Sequence, residues 1–126
     1  MKKLILLFSH KLTEKQIKDA EENLKCNRII YLPKKLQEIW SNVNPEKIEN
    51  DKLDEIKEFL IKNAVKGDYI LIQGEWGFSY SMINFAKEKE YIPIYSTTKR
   101  NAVETIDENG DLKKTMIFKH VKYKLY

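Results

Sequence analysis

Apolar and polar positions fall in alternating blocks along the chain. Residues 4–8, Leu-Ile-Leu-Leu-Phe, form an unbroken apolar run, the pattern of a strand buried on both faces. Thr13 and Gln16 follow at capping-box spacing, and Leu12 is placed to staple against Ile17. Ile17, Ala20 and Leu24 repeat with a helical period, which predicts a helix ending near Lys25. Residues 28–32, RIIYL, predict a second strand. Pro33 then suits the start of a helix whose apolar stripe is Leu36, Ile39 and Trp40. A polar connection containing Pro45 covers residues 42–51. Leu53, Ile56, Phe59 and Leu60 mark the next helix, with Gly67 as its expected terminator.

Residues 68–74, DYILIQG, predict a third strand, followed by a GEWG loop and a helix carrying Met82, Ile83, Phe85 and Ala86. Residues 91–98, YIPIYSTT, predict a fourth strand. This alternation implies an α/β fold with a parallel sheet flanked by helices and right-handed crossovers. The rhythm then changes. Residues 102–106 and 112–125 flank DENGD, whose Asn109-Gly110 pair is a strong hairpin signal. The expected organisation is one domain, residues 1–126, with a strand–helix core over 1–100 and a C-terminal β-hairpin over 101–126. In the last strand Val121, Tyr123 and Leu125 share one face. His120 falls with Phe118, Lys122 and Lys124 on the other, which predicts a solvent-facing histidine.

Composition narrows the class. A chain of 126 residues with 42% hydrophobic and 33% charged content is long enough for one core and reads as a soluble, folded protein. No apolar run approaches the roughly 20 residues that span a bilayer. The opening MKKLILLFSHK imitates a signal peptide, but its apolar core is short and no small-residue cleavage site follows. One cysteine, Cys26, excludes an internal disulfide and fits a cytoplasmic location. With only His10 and His120 besides, a zinc site is not expected. The net charge of +4 is mild. Lysines crowd residues 113–124 and acids residues 46–58, which in the ordinary reading are solvated faces.

In an open parallel sheet, ligands bind outside the carboxyl ends of the strands. Those ends are Ser9-His10, then Leu32-Pro33, then Gln73-Gly74-Glu75-Trp76-Gly77, and last Thr97-Thr98-Lys99-Arg100. The last set resembles a receptacle for phosphate oxygens: two hydroxyls precede two cations, and no turn residue appears before Asn101. Arg100 is one of two arginines, and guanidinium suits bidentate phosphate contact. The plain alternative is an exposed basic turn. Gly74 and Gly77 allow close backbone approach, and the helix after them would favour phosphate. Trp76 reads first as a packed side chain and second as a base-stacking platform. Gln73 is a neutral partner for a base or ribose. Ser9-His10 reads equally as a turn or a ligand contact. GEWG matches neither a dinucleotide fingerprint nor a P-loop. Glu75 is the lone acid at these ends, which argues against a two-metal nuclease.

Taken together, LLFSHKLT, YLPKKLQEIWSNV, GDYILIQGEWG, IPIYSTTKR and FKHVKYKLY resemble, over essentially the whole length, a small family of CRISPR-associated ring nucleases of type III systems. That resemblance implies a stand-alone Rossmann-like (CARF-like) domain that binds and cleaves cyclic oligoadenylate, chiefly cyclic tetra-adenylate. It also implies a homodimer with the ring across its two-fold axis and no cofactor or metal. The adenosine 2′-hydroxyl attacks the adjacent phosphorus and leaves a 2′,3′-cyclic phosphate. By this resemblance Ser9 stands at the ligand, Lys99 and Arg100 supply the cations, and His10 serves as acid or base. Gln73, Gly74, Glu75, Trp76, Gly77, Thr97 and Thr98 complete the expected binding set. No membrane or DNA partner is expected. The alternatives are a non-catalytic sensor or sponge for the same messenger, and a basic RNA-binding accessory protein.

Overall fold

The computed structural model of the chain describes residues 2–126. Nine elements run β1 (Lys2–Phe8), α1 (Glu14–Glu22), β2 (Cys26–Ile30), α2 (Lys34–Ser41), α3 (Asn50–Asn63), β3 (Tyr69–Gln73), α4 (Trp76–Glu88), β4 (Ile92–Ile106) and β5 (Leu112–Leu125) among the described residues. They form a mixed α/β fold around one five-stranded sheet of order β2-β1-β3-β4-β5. β1 pairs in parallel with β2 and β3, and β3 with β4, whereas β4 and β5 are antiparallel.

The continuous apolar runs of β1 and β3 arise because both sheet faces are covered. Leu4, Leu6, Leu71 and Ile94 join Leu12 and Ala20 of the α1 side. Ile5, Leu7, Ile70 and Ile72 join Leu36, Trp40, Ile56, Phe78 and Met82 of α2, α3 and α4 on the other side. The capping box at the start of α1 is present. Thr13 Oγ1 accepts from the Gln16 amide at 3.3 Å, and Gln16 Oε1 accepts from the Thr13 amide at 2.9 Å. Cys26 is buried, and desolvation pushes its thiol up to about 11.

Several boundaries differ from the sequence expectation, each for a local reason. β2 begins at Cys26 rather than at residue 28, because Lys25 takes a left-handed φ of 59° and turns the chain at once into extended backbone. α3 ends at Asn63, not at Gly67. Asn63 Nδ2 donates to the Phe59 carbonyl at 2.8 Å, and Ala64 is already extended at ψ 150°. Gly67, at φ 89°, instead serves the following turn. There the buried Asp68 carboxylate accepts from the Val65 amide and pairs with Lys3. α4 starts at Trp76, inside the expected loop.

The largest difference is β4. No residue between Thr98 and Ala102 breaks extended backbone, so the fourth strand and the first hairpin arm are one strand of 15 residues. β4 and β5 therefore form a long ribbon that extends past the sheet to the 107–111 turn. That turn is built as expected: Gly110 has φ 80°, and Asp107 Oδ1 accepts from the Asn109 and Asp111 amides at 2.9 Å.

The register slips once, between Thr97 and Thr98, where Thr97 faces Lys122 but Thr98 faces His120. Val121 is thus the extra residue of a β-bulge on β5, a device that re-aims side chains. It places His120 on the same face as Tyr123, with ring centroids 4.6 Å apart. The solvent-facing assignment of His120 is thereby corrected, since its side chain is only 4% exposed.

Candidate functional site

In the order β2-β1-β3-β4-β5, the chain leaves β1 toward one side and β3 toward the other, so the order reverses between these two strands. The crevice outside their carboxyl ends is where open α/β sheets place ligands. Phe8 and Gln73 are register partners there. The structure therefore brings Ser9 and His10 beside Gln73, Gly74, Glu75 and Trp76.

Helix α2 closes this edge from one side and satisfies the last strand carbonyls. Gln37 Nε2 donates to the Phe8 carbonyl at 2.8 Å, and Trp40 Nε1 donates to that of Gln73 at 3.2 Å. Ser41 Oγ lies 3.1 Å from Ser9 Oγ, which fixes the hydroxyl predicted at the ligand. His10 is exposed, and its ring meets Phe8 edge-on at 5.3 Å. Gly74 is required by packing: a Cβ there would lie 2.6 Å from Trp40 Nε1.

Two hollows flank the reversal point. One, of about 300 Å³, is lined by Ser9, His10, Lys11, Tyr31, Leu32 and Gln37. The other, of about 350 Å³, lies among Gln73, Gly74, Trp76, Tyr80 and Tyr126. Trp76 is 91% exposed and Tyr80 69% exposed, one helical turn apart on α4. The packed-side-chain reading of Trp76 is corrected, and the two rings form an open aromatic surface beside Gly74. Tyr126 closes the far end. Its hydroxyl donates to the Ile72 carbonyl, its ring lies 4.8 Å from that of Tyr95, and burial raises its hydroxyl pKa.

Other expected site residues have structural work. The Glu75 carboxylate caps α4, accepting from the Phe78 amide at 2.8 Å. The N-terminus of α4 is thus already capped by a carboxylate, which disfavours a phosphate at the same amides. Gly77 sits against that carboxylate. Gln73 Oε1 accepts from the Ser96 amide at 2.8 Å, and Thr97 Oγ1 donates to the Lys122 carbonyl at 2.8 Å. Lys99 and Arg100 are not brought to Ser9 and His10. Lys99 stands three residues, about 10 Å, along β4 from Ser96. Arg100 lies over the Phe118 ring at 5.4 Å, and Thr98 opposite His120.

Residue-pattern reasoning missed Lys11, Gln37, Trp40 and Ser41 at the crevice. It also missed a buried polar line on the α1 face. Ser96 Oγ lies 2.6 Å from His120 Nδ1, and His120 Nε2 lies 2.7 Å from Asp19 Oδ2. The residue types match a hydrolase triad, but the setting does not. Ser96 is 7% exposed, and its hydroxyl also accepts from Gln16 Nε2 at 3.3 Å. Tyr123 donates to the Gln16 carbonyl at 3.0 Å. Desolvation raises the Tyr123 hydroxyl pKa, with the Asp19 charge adding to it. The group clamps the root of the ribbon to α1. No signal in the sequence marks it, because only the bulge aims His120 inward.

Among the described residues no group of three or more His, Cys, Asp or Glu side chains converges as a metal site. No helix among them is long and apolar enough to cross a membrane.

The class defined by this geometry is a small α/β domain with two hollows flanking the reversal point of its sheet. The chain belongs to the Uncharacterized protein MJ1673 family, whose family model matches residues 2–124. It is 53% identical over 127 residues to Uncharacterized protein MJ1673 of Methanocaldococcus jannaschii, covering 100% of this chain and 98% of that one. No solved structure matches the chain.

Proposed function

We propose that this protein is a Rossmann-like (CARF-like) ring nuclease that binds and cleaves cyclic oligoadenylate, most fittingly the tetra-adenylate, and so ends type III CRISPR signalling. The observation that carries the reading is the pair of exposed rings, Trp76 and Tyr80, in the hollow beside Gly74, at the same carboxyl-end edge of the sheet that holds Ser9 and His10 in the neighbouring hollow. Large exposed aromatics beside a polar crevice suit adenine stacking, which contributes about 1–3 kcal/mol per base. Lys11 supplies a cation at the hollow of Ser9 and His10.

The chemistry asked of the chain is modest. The ribose 2′-hydroxyl attacks the neighbouring phosphorus, its proton passes to a base, and the bond from phosphorus to the 5′-oxygen breaks. The departing oxygen takes a proton, leaving a linear product with a 2′,3′-cyclic phosphate. His10 serves as the base or the acid, while Ser9, held by Ser41, orients the reacting group. Lys99 and Arg100 stand further along β4 than the strand ends of Ser9 and Gln73, and in this reading they act in ligand capture. A two-fold homodimer presents each contact twice to a ring of two-fold symmetry.

Trp76→Ala is expected to weaken cyclic tetra-adenylate binding by about 1–3 kcal/mol with an unchanged melting temperature, since the ring packs against little. Isothermal titration with the wild type and the variant measures this. Equal affinity in the two proteins would remove the stacking site from α4.

A further inference from the structure

Alternation, reset once by the bulge at Val121, gives the β4–β5 ribbon two chemically unlike faces. By alternation from the buried Ser96, the face turned away from α1 carries Tyr95, Thr97, Lys99, Asn101, Val103 and Thr105 on β4. Their register partners on β5 are Lys124, Lys122, Lys119, Ile117, Thr115 and Lys113. The five lysines of this face, Lys99, Lys113, Lys119, Lys122 and Lys124, are all exposed, and no Asp or Glu shares the face with them. None belongs to an ion pair among the described residues. Lys99 and Lys119 stand directly opposite each other, an arrangement that costs stability in a strand pair.

We infer that this face binds a single-stranded polynucleotide through its phosphodiester backbone. Alternate residues on one face lie about 7 Å apart, so the row from Lys124 to Lys113 forms a cationic track of about 35 Å. Between the lysines stand Asn101, Thr105 and Thr115, hydrogen-bonding groups suited to phosphate and sugar oxygens. Its root meets aromatic rings: Tyr95 opposite Lys124 contacts Tyr126, which shares a hollow with Tyr80 and Trp76. A basic track leading to stacking rings is the arrangement by which proteins hold single strands without reading their sequence. A membrane surface fits less well, because only Val103 and Ile117 are aliphatic on this face. The surface needs neither ring cleavage nor a cyclic ligand, and it stands if that activity is absent.

The test is fluorescence anisotropy of the full chain with labelled 20-nucleotide single strands of mixed sequence, one RNA and one DNA, over a salt series. Both strands are expected to bind, with log affinity falling against log salt at a slope of about −3, the value for four to five neutralised phosphates. The decisive variant is Lys119→Glu. It replaces the Lys99–Lys119 repulsion with an opposite-charge pair, so the melting temperature should hold or rise while affinity falls about tenfold and the slope flattens. Trp76→Ala should weaken binding about fivefold or more with the slope unchanged. Absence of binding to either strand at low salt, binding indifferent to salt, or full affinity in Lys119→Glu would each overturn the inference. So would lysine-dependent binding to anionic phosphatidylserine vesicles with none to either strand.

Discussion

Trp40→Ala is expected to destabilise the protein by about 3–5 kcal/mol, the usual range for deleting a large buried aromatic. Trp40 is 2% exposed, packs near Phe78 with ring centroids 6.3 Å apart, and donates its indole N–H to the Gln73 carbonyl. Its loss opens a cavity in the helix-rich half of the core and removes the donor from the end of β3. Because the indole lies against Gly74, the crevice loop loses its backing at the same time. Trp40→Phe separates the two contributions. It retains most of the volume and should cost less, about 1–2 kcal/mol, chiefly the unpaired carbonyl. Urea melts read both. A loss below 1 kcal/mol in Trp40→Ala would mean that α2 does not hold the end of β3 as described.

His10→Ala is expected to lower the single-turnover rate of cyclic tetra-adenylate cleavage by about 10²–10⁴, the range for a positioned acid or base. Binding should change little, because proton transfer belongs to the transition state rather than to the bound ring. His10 is exposed at the hollow and packs only edge-on to Phe8, so the fold should tolerate its removal. Ser96→Ala is the informative control. Its hydroxyl sits between His120 and Gln16, and a clamp predicts weaker folding at an unaltered rate. A wild-type rate in His10→Ala, or a lost rate in folded Ser96→Ala, would move the chemistry from the crevice to the α1 face.

How much of this was legible in the residues differs by element. β1 and β3 were plain because burial on both faces leaves unbroken apolar runs. Thr13 with Gln16, and Asn109 with Gly110, were plain because capping and tight turns need particular side chains at fixed spacing. The length of β4 was hidden. An exposed ribbon has no buried face to impose an alternation, so residues 99–101 carried no strand signal. The bulge at Val121 was hidden too, since neither Gly nor Pro marks it, and a slip of one residue turned His120 from solvent to the α1 face. Trp76 ran against the burial expected of a large aromatic. At the crevice, Ser9, His10 and Gly74 followed from their places after the strands. Lys11 and the α2 residues did not, because α2 reaches the edge only through tertiary packing. The Lys99-Arg100 pair has the residue pattern of a strand end, and its position along the ribbon follows directly from the full length of β4.

Cleavage of a cyclic oligoadenylate at the edge where β1 and β3 end is the proposal on which the functional reading rests. The most direct measurement incubates the full chain with labelled cyclic tetra-adenylate, with and without EDTA, and resolves the products by chromatography. Linear oligoadenylates ending in a 2′,3′-cyclic phosphate are expected under both conditions. Recovery of the intact ring, bound or free, would contradict cleavage, and products formed only without EDTA would contradict a reaction carried by the side chains alone.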